Sequence, residues 1–173
     1  MPAFPDLAAN VITPMPKLTA LIHIHNHERQ LGRALDSVRF CDEVLVVDHG
    51  STDGSLRIAR EHGARIIKGV NGVDHGAYAQ DARHDWILCL LPSESVAEEL
   101  EASLLEWKVS EPAADLPGYN VGIREQTGTR WTFLKPELRL ANRKKINWTG
   151  DCPSQAPDAP SLAGHLLRIP EEQ

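Results

Sequence analysis

Cysteine is scarce. The 173 residues hold three, Cys41, Cys89 and Cys152, far apart in the sequence and never as a CxxC pair. That excludes a zinc knuckle, a dithiol redox motif and a disulfide framework, and it fits a reducing compartment. Positive charge is also short, with 18 basic residues against 24 acidic ones and a net charge of -6. A nucleic-acid binder needs a concentrated basic surface to neutralise phosphates, so that class is set aside. No stretch approaches the ~20 apolar residues of a membrane span, and the start of the chain has no apolar run fit for a signal peptide. Met1 to Pro16 carries four prolines instead. A cytoplasmic protein without a membrane span is expected, with peripheral membrane association left open. There is no internal repeat, no GxxxxGK phosphate loop and no GxSxG elbow around Ser51 or Ser93, which argues against an ATPase and a serine hydrolase.

What is present is an ordinary globular composition, 42% apolar and 24% charged, in a chain of single-domain size. Leu18 to Ile24 reads as a strand. Arg29 to Val38 follows, with Leu31, Leu35 and Val38 at helical spacing. Val44 to Val47 is a short apolar run closed by Asp48, as in a strand covered on both faces. Ser55 to His62 reads as a helix, with Gly63 placed for a left-handed cap. Ala64 to Lys68 and Trp86 to Leu91 are further strands. Ser95 to Lys108 is a helix, with Ser95 and Glu98 as its capping box. Cys41 and Cys89 adjoin apolar runs and are expected as buried thiols. This alternation implies βαβ units and a mainly parallel sheet. After a linker over Val109 to Pro117 the pattern turns β-rich, with strands at Tyr119 to Ile123 and Glu137 to Leu140, a basic turn at Asn142 to Lys145 and a short segment from Ile146 to Trp148. Three regions are expected: a Pro-rich extension over 1–17, an α/β domain over 18–150, and an irregular tail over 151–173.

In doubly wound sheets ligands bind outside the carboxyl ends of the strands. Two loops stand there: His25-Asn26-His27-Glu28 after the first strand, and Asp48-His49-Gly50-Ser51-Thr52-Asp53-Gly54 after the second. Asp48 ends an apolar strand, so its carboxylate would point into the crevice, where it could accept hydrogen bonds from a base or a ribose. Gly50 and Gly54 permit the tight turn, and Ser51 or Asp53 can cap the next helix. The turn could equally serve the helix alone. The alternating His23, His25 and His27 would share one strand face, which suggests a metal site as a remote second reading. Asp81, His84 and Asp85 read as a polar loop before a buried strand.

The segment Leu45-Val46-Val47-Asp48-His49-Gly50-Ser51-Thr52-Asp53-Gly54-Ser55 closely resembles the VVDDGSTDGS stretch of family-two glycosyltransferases with the GT-A fold. Asp42-Glu43, Ile58 to Ile67, Ile22 to Glu28 and Trp86-Ile87-Leu88 resemble that family too. Glu137 to Leu140, with the basic turn and Trp148, resembles the late hairpin of bacterial lipopolysaccharide-core glucosyltransferases. The resemblance spans roughly Leu18 to Gly150. It implies a GT-A-like, Rossmann-like three-layer α/β domain with a mainly parallel sheet and a β-rich C-terminal part. It also implies a nucleotide site for uridine diphosphate or its sugars, drawn from His25, Asn26, Glu28, Asp48, Ser51 and Asp53.

One landmark differs. The family strand ends in Asp-x-Asp, which holds magnesium or manganese against the diphosphate leaving group. Here Leu91-Pro92-Ser93 stands at that place, and Glu94 alone remains as a weak metal candidate. Leucine has no donor atom and serine is a poor neutral ligand. Arg83 stands near the family's phosphate-side basic residue, and Arg143, Lys144 and Lys145 form a candidate cationic cluster. The family's His-Glu pair after the tryptophan is replaced by Asp151-Cys152-Pro153. No catalytic base is identified, with Asp151 the nearest nominee. A chain of this length is also expected to lack much of the family's C-terminal half and its acceptor site. The expectation is a UDP-sugar-binding scaffold impaired in catalysis. The alternatives are an active metal-independent glycosyltransferase of cell-surface polysaccharide synthesis and a non-catalytic regulatory or assembly module.

Overall fold

Every residue of β1, Leu18–Ile24, is buried, so the strand must be covered on both faces, as its unbroken apolar run requires. In the computed structural model, which describes residues 14–110 and 115–171, it lies at the centre of the parallel half of the sheet. Most of the expected 1–17 extension, and part of the Val109–Pro117 linker, fall outside those residues. The chain continues through α1 (Glu28–Ser37), β2 (Glu43–Asp48), α2 (Ser55–Glu61), β3 (Arg65–Lys68), a 3-10 helix (His75–Asp81) and β4 (Trp86–Cys89). Then come β5 (Glu94–Val96), α3 (Glu98–Val109), β6 (Gly118–Thr127), β7 (Arg130–Asn142), β8 (Trp148–Thr149), β9 (Cys152–Pro153) and β10 (Ser161–Arg168).

Eight strands form one sheet in the order β3-β2-β1-β4-β7-β6-β10-β5. β3, β2, β1 and β4 run parallel, as the strand–helix alternation implies. β7 then joins β4 antiparallel and turns the sheet into its mixed half. The sheet faces divide the core in two. Leu18, Ala20, Ile22 and Ile24 meet Leu31 and Leu35 of α1 and Leu100, Leu104 and Trp107 of α3. The alternate residue Leu21 meets Leu45, Val47 and Ile87, closed by Tyr78 and Ala79 of the 3-10 helix. His23, two residues on, therefore faces the 3-10 side.

Several sequence expectations need correction. Ser95 caps nothing: it sits in β5 opposite Leu167, and α3 begins at Glu98 without a side-chain cap. Strand pairing with β10 outweighs the local capping pattern. β4 ends at Cys89, before Leu91. The hairpin strands β6 and β7 run to 10 and 13 residues, longer than the apolar cores that signal them. The expected irregular tail contributes β10, buried at Leu166 and flanked by β6 and β5. The left-handed Gly63 is found as expected, at φ 72°.

The strands of the mixed half are tied by one carboxylate. Glu94 is fully buried, and it accepts from Arg139 through both guanidinium nitrogens, at 2.8 and 2.9 Å. Arg168 of β10 donates two further bonds to Oε1, and the Leu91 amide donates to Oε2. Arg139, 1% exposed, also reaches Glu137 and the Cys89 carbonyl. Removing one member of such a buried network leaves the others uncompensated. Arg139→Ala is expected to lower unfolding free energy by about 3–5 kcal/mol, read from urea denaturation. Arg57→Ala, which breaks an exposed pair with Glu61, should change it by no more than about 0.5 kcal/mol.

Candidate functional site

Two loops leave the carboxyl ends of β1 and β2, and their side chains are laced together. Asn26 Oδ1 accepts from the Thr52 and Asp53 amides, at 2.7 and 3.3 Å. The Asn26 amide donates to Ser51 Oγ. The Glu28 amide donates to Asp53 Oδ2, while Glu28 Oε2 accepts from the Gly54 amide at 2.6 Å. Asp53 Oδ1 also accepts from the Ser55 amide and hydroxyl at the start of α2. Thus Asn26, Glu28, Ser51 and Asp53, four of the residues singled out for nucleotide contact, spend hydrogen-bonding capacity on holding the loops in register. Asn26 adopts φ 59°, a left-handed conformation that asparagine tolerates better than most residues.

Asp48 and His25 take no part in that lacing between Asn26, Glu28, Ser51 and Asp53 and their loop amides. Asp48 is 7% exposed, and its Oδ1 accepts from the Ser51 amide. Its Oδ2 makes no hydrogen bond among the described residues. His25 is exposed, with Nδ1 on the His49 carbonyl. Beside them His49, Gly50, Lys68, Gly69, Val70 and Asn71 line a cavity of about 550 Å³ at the carboxyl ends of β2 and β3. That is the place where this topology is expected to receive a ligand.

A second cluster shares His49. His23 Nδ1 lies 2.8 Å from His49 Nε2, and His75 stacks on His49 with ring centroids 3.8 Å apart. Asp151 bonds Nδ1 of His75. Gly69 makes room for the His49 ring, because a Cβ there would collide with Nδ1. Burial, reinforced by His75 and His49 and opposed by Asp151, brings the His23 imidazole down to about 4. Burial and His75 lower His49 as well. Below the cluster the Cys89 and Cys152 thiols meet at 3.1 Å, although they are distant in sequence, and Cys89 donates to the Asp151 carbonyl. The alternating histidines behave differently from a shared ligand face. His27 Nδ1 accepts from the His25 amide, and only His23 joins a cluster. The sequence singled out His23 but not His49 and His75, whose approach depends on tertiary packing across three loops.

The acidic-motif position is a turn. The Glu94 amide bonds the Leu91 carbonyl, and the Ser93 carbonyl accepts from Arg33 and from the Ile169 amide. Glu94 points inward to the two arginines, so its oxygens face no cleft. Arg83 pairs loosely with Glu43, the first residue of β2. That is the amino end of the strands, away from the crevice. Arg143 is occupied by Asp85 and by the Ala79, Gln80 and Ala82 carbonyls. Lys144 pairs with Asp85 as well. Of the expected basic cluster, Lys145 alone has no salt bridge among the described residues.

The chain belongs to the glycosyl transferase family 2, whose family model matches residues 19–155. Its sheet and helices have the GT-A-like, Rossmann-like architecture of that class. An uncharacterized glycosyltransferase of Rickettsia typhi is 34% identical over 154 residues, covering 84% of this chain and 53% of that protein. The chain thus spans about half the length of this relative. The 4,4'-diaponeurosporenoate glycosyltransferase of Staphylococcus aureus is 33% identical over 66 residues, 36% of this chain and 18% of its own length. Among solved structures, glucosyl-3-phosphoglycerate synthase from Mycobacterium tuberculosis superposes with a TM-score of 0.49 at 16% identity, covering 65% of this chain and 45% of that one. A mannosyltransferase from Pyrobaculum calidifontis, in complex with GDP-Man and Mn2+, gives 0.49 at 19% identity, covering 66% and 37%.

The lacing of the loops can be tested at Asn26. Asn26→Gly keeps the left-handed backbone accessible but removes an exposed acceptor, and should cost about 0.5–1.5 kcal/mol of stability. Asn26→Ala removes the acceptor and also strains φ, so it should cost a further ~1–2 kcal/mol. Chemical denaturation of the two variants reads the difference directly.

Proposed function

We propose that this chain is a sugar-nucleotide-binding scaffold, with uridine diphosphate or a UDP-sugar as its ligand, whose transferase chemistry is impaired. The observation that carries the proposal is the state of Glu94. The two positions that carry aspartate in the family pattern hold Leu91 and Ser93, and the surviving carboxylate is consumed by Arg139 and Arg168. Magnesium or manganese needs several outward oxygen ligands. The turn offers none from side-chain carboxylates, so the charge developing on a departing diphosphate has no cation held there.

The nucleotide end of the site rests on different residues. Asp48 Oδ2 can accept from a base or a ribose hydroxyl, and exposed His25 offers a ring for the base to pack against. Lys68 brings a positive charge to the adjoining 550 Å³ cavity. Asn26, Glu28, Ser51 and Asp53 act by fixing these loops and by presenting backbone groups. No helix of the described residues is long and apolar enough to cross a membrane, and a cytoplasmic location with at most peripheral membrane contact fits the nucleotide ligand. A role as a regulatory or assembly module of cell-envelope polysaccharide synthesis follows if binding persists without transfer.

Thermal unfolding with millimolar UDP, with and without manganese, tests the binding. At tenfold excess over Kd, a ligand of the native state adds about 1.4 kcal/mol, or a rise in Tm of roughly 3–6 °C for a chain of this size. The rise should not need manganese, and Asp48→Ala should abolish it. No shift with UDP removes the crevice. Sustained sugar transfer or hydrolysis from a panel of UDP-sugars, lost in Asp48→Ala, would show an active metal-independent enzyme instead.

A further inference from the structure

Three histidines from three separate parts of the chain converge on one point. His23 ends β1, His49 follows β2 and His75 opens the 3-10 helix, and one ring nitrogen from each lies within 4.8 Å of the others. His23 is 6% exposed, yet its Nε2 has no hydrogen-bond partner. Its other nitrogen faces a second imidazole rather than a carbonyl or a carboxylate. A buried imidazole nitrogen left this way forfeits the hydrogen bond that water gives it in the unfolded chain. A half-turn about Cβ–Cγ puts carbon where each nitrogen stood and carries Nε2 to the Cε1 side of the ring, the side on which Nδ1 now faces His49.

We propose that His23, His49 and His75 bind a nitrogen-preferring divalent metal ion, zinc foremost, with Asp151 as the outer carboxylate that orients His75. Imidazole suits zinc, cobalt, nickel and copper, whereas magnesium and manganese favour the oxygen ligands that this cluster lacks. Asp151 already holds Nδ1 of His75, which fixes the ring and leaves Nε2 for the ion, the usual carboxylate–histidine–metal arrangement. Three histidines leave a fourth position for water or a ligand oxygen. Two metal–nitrogen bonds of ~2.1 Å span at most about 4.2 Å, and the three rings lie within 18° of parallel, so on binding the widest pair must close and the His75 ring must swing out of its stack to aim its lone pair at the ion. His75 can supply that movement together with its partner Asp151, because both side chains are exposed, at 40% and 45%. The site is distinct from the Leu91–Glu94 turn, and it does not depend on the nucleotide reading.

The test uses the whole chain, free of any histidine tag, stripped with chelator and reloaded with zinc or cobalt in the absence of nucleotide. About one zinc ion per chain should survive desalting, and cobalt should give the intense visible absorption of a four-coordinate site. His49→Ala and His75→Ala should each lower zinc affinity by 100-fold or more while the far-UV circular dichroism stays that of the parent. Asp151→Asn should weaken binding by about 10–100-fold. His25→Ala and His27→Ala should leave it unchanged. His23→Gln probes the buried ligand, but the proposal stands or falls on the two accessible ones. It is overturned if the parent chain retains no ion at low-micromolar zinc, so that the rings merely stack. It is equally overturned if His49→Ala and His75→Ala bind as the parent does, or if His25→Ala abolishes binding.

Discussion

A single buried carboxylate sets the terms for this fold. Glu94 opens β5, the edge strand of the mixed half, and it receives Arg139 from β7 and Arg168 from β10. A bare carboxylate could not remain ionised there, and two bare guanidinium groups could not either. Each charge is tolerable because the others are present, with Glu137 and Glu125 completing the set at the rim. The network also fixes geometry. It holds the Leu91–Glu94 turn closed and aligns β10 between β5 and β6. It also brings the last strand of the chain against residues more than 40 positions earlier.

On the function proposed above, the same arrangement alters what the family scaffold can do. Carboxylates at this turn would ordinarily face outward and grip a cation. Here protein cations grip the carboxylate from inside. The positive charge is spent within the core and contributes little to a diphosphate outside it, because Arg139 and Arg168 are outnumbered by Glu94, Glu137 and Glu125. The loops after β1 and β2 do not compensate with charge. They are built for rigidity, with Asn26, Glu28, Ser51 and Asp53 exchanging hydrogen bonds across the gap. Such pre-organisation favours binding, since less freedom is lost on ligation. It does nothing for a leaving group.

Much of the parallel half was legible in the sequence, and for physical reasons. β1 and β2 are short apolar runs covered on both faces, and α1 carries a helical stripe that packs on them. Asp48, Gly50 and Gly63 mark turns whose backbone demands few other residues meet. The mixed half was harder to read. β10 has glycine, histidine and serine among its apolar residues, and its place is set by partners β6 and β5 rather than by its own pattern. Ser95 looked like a helix cap because the capping signal is local, whereas its actual strand pairing is not. At the site, the position of Asp48 could be read from its strand. That Asn26 and Glu28 would turn towards the second loop could not be, and neither could the inward turn of Glu94. Each depends on a partner 25 or more residues away. The histidine cluster is the extreme case, since no two of its members are closer than 26 residues in sequence.

Where a cation is absent from one edge of a crevice, charge must come from another edge if a phosphate is to be held. Along the carboxyl ends of the strands the candidates are few. Arg83 is at the wrong end of β2, and Arg143 and Lys144 are taken by Asp85 and by helix carbonyls. Lys68 lines the cavity next to His49. Burial and mutual repulsion hold His23 and His49 below the usual histidine range, so those two bring no charge of their own near pH 7. Imidazole nitrogens with a carboxylate behind one of them are, however, a ligand set suited to a metal ion. An ion there would place two positive charges on the β1–β2 side of the crevice instead of at the Leu91–Glu94 turn. The scaffold would then differ from its family less in having lost a cation than in where, and by which atoms, a cation is held.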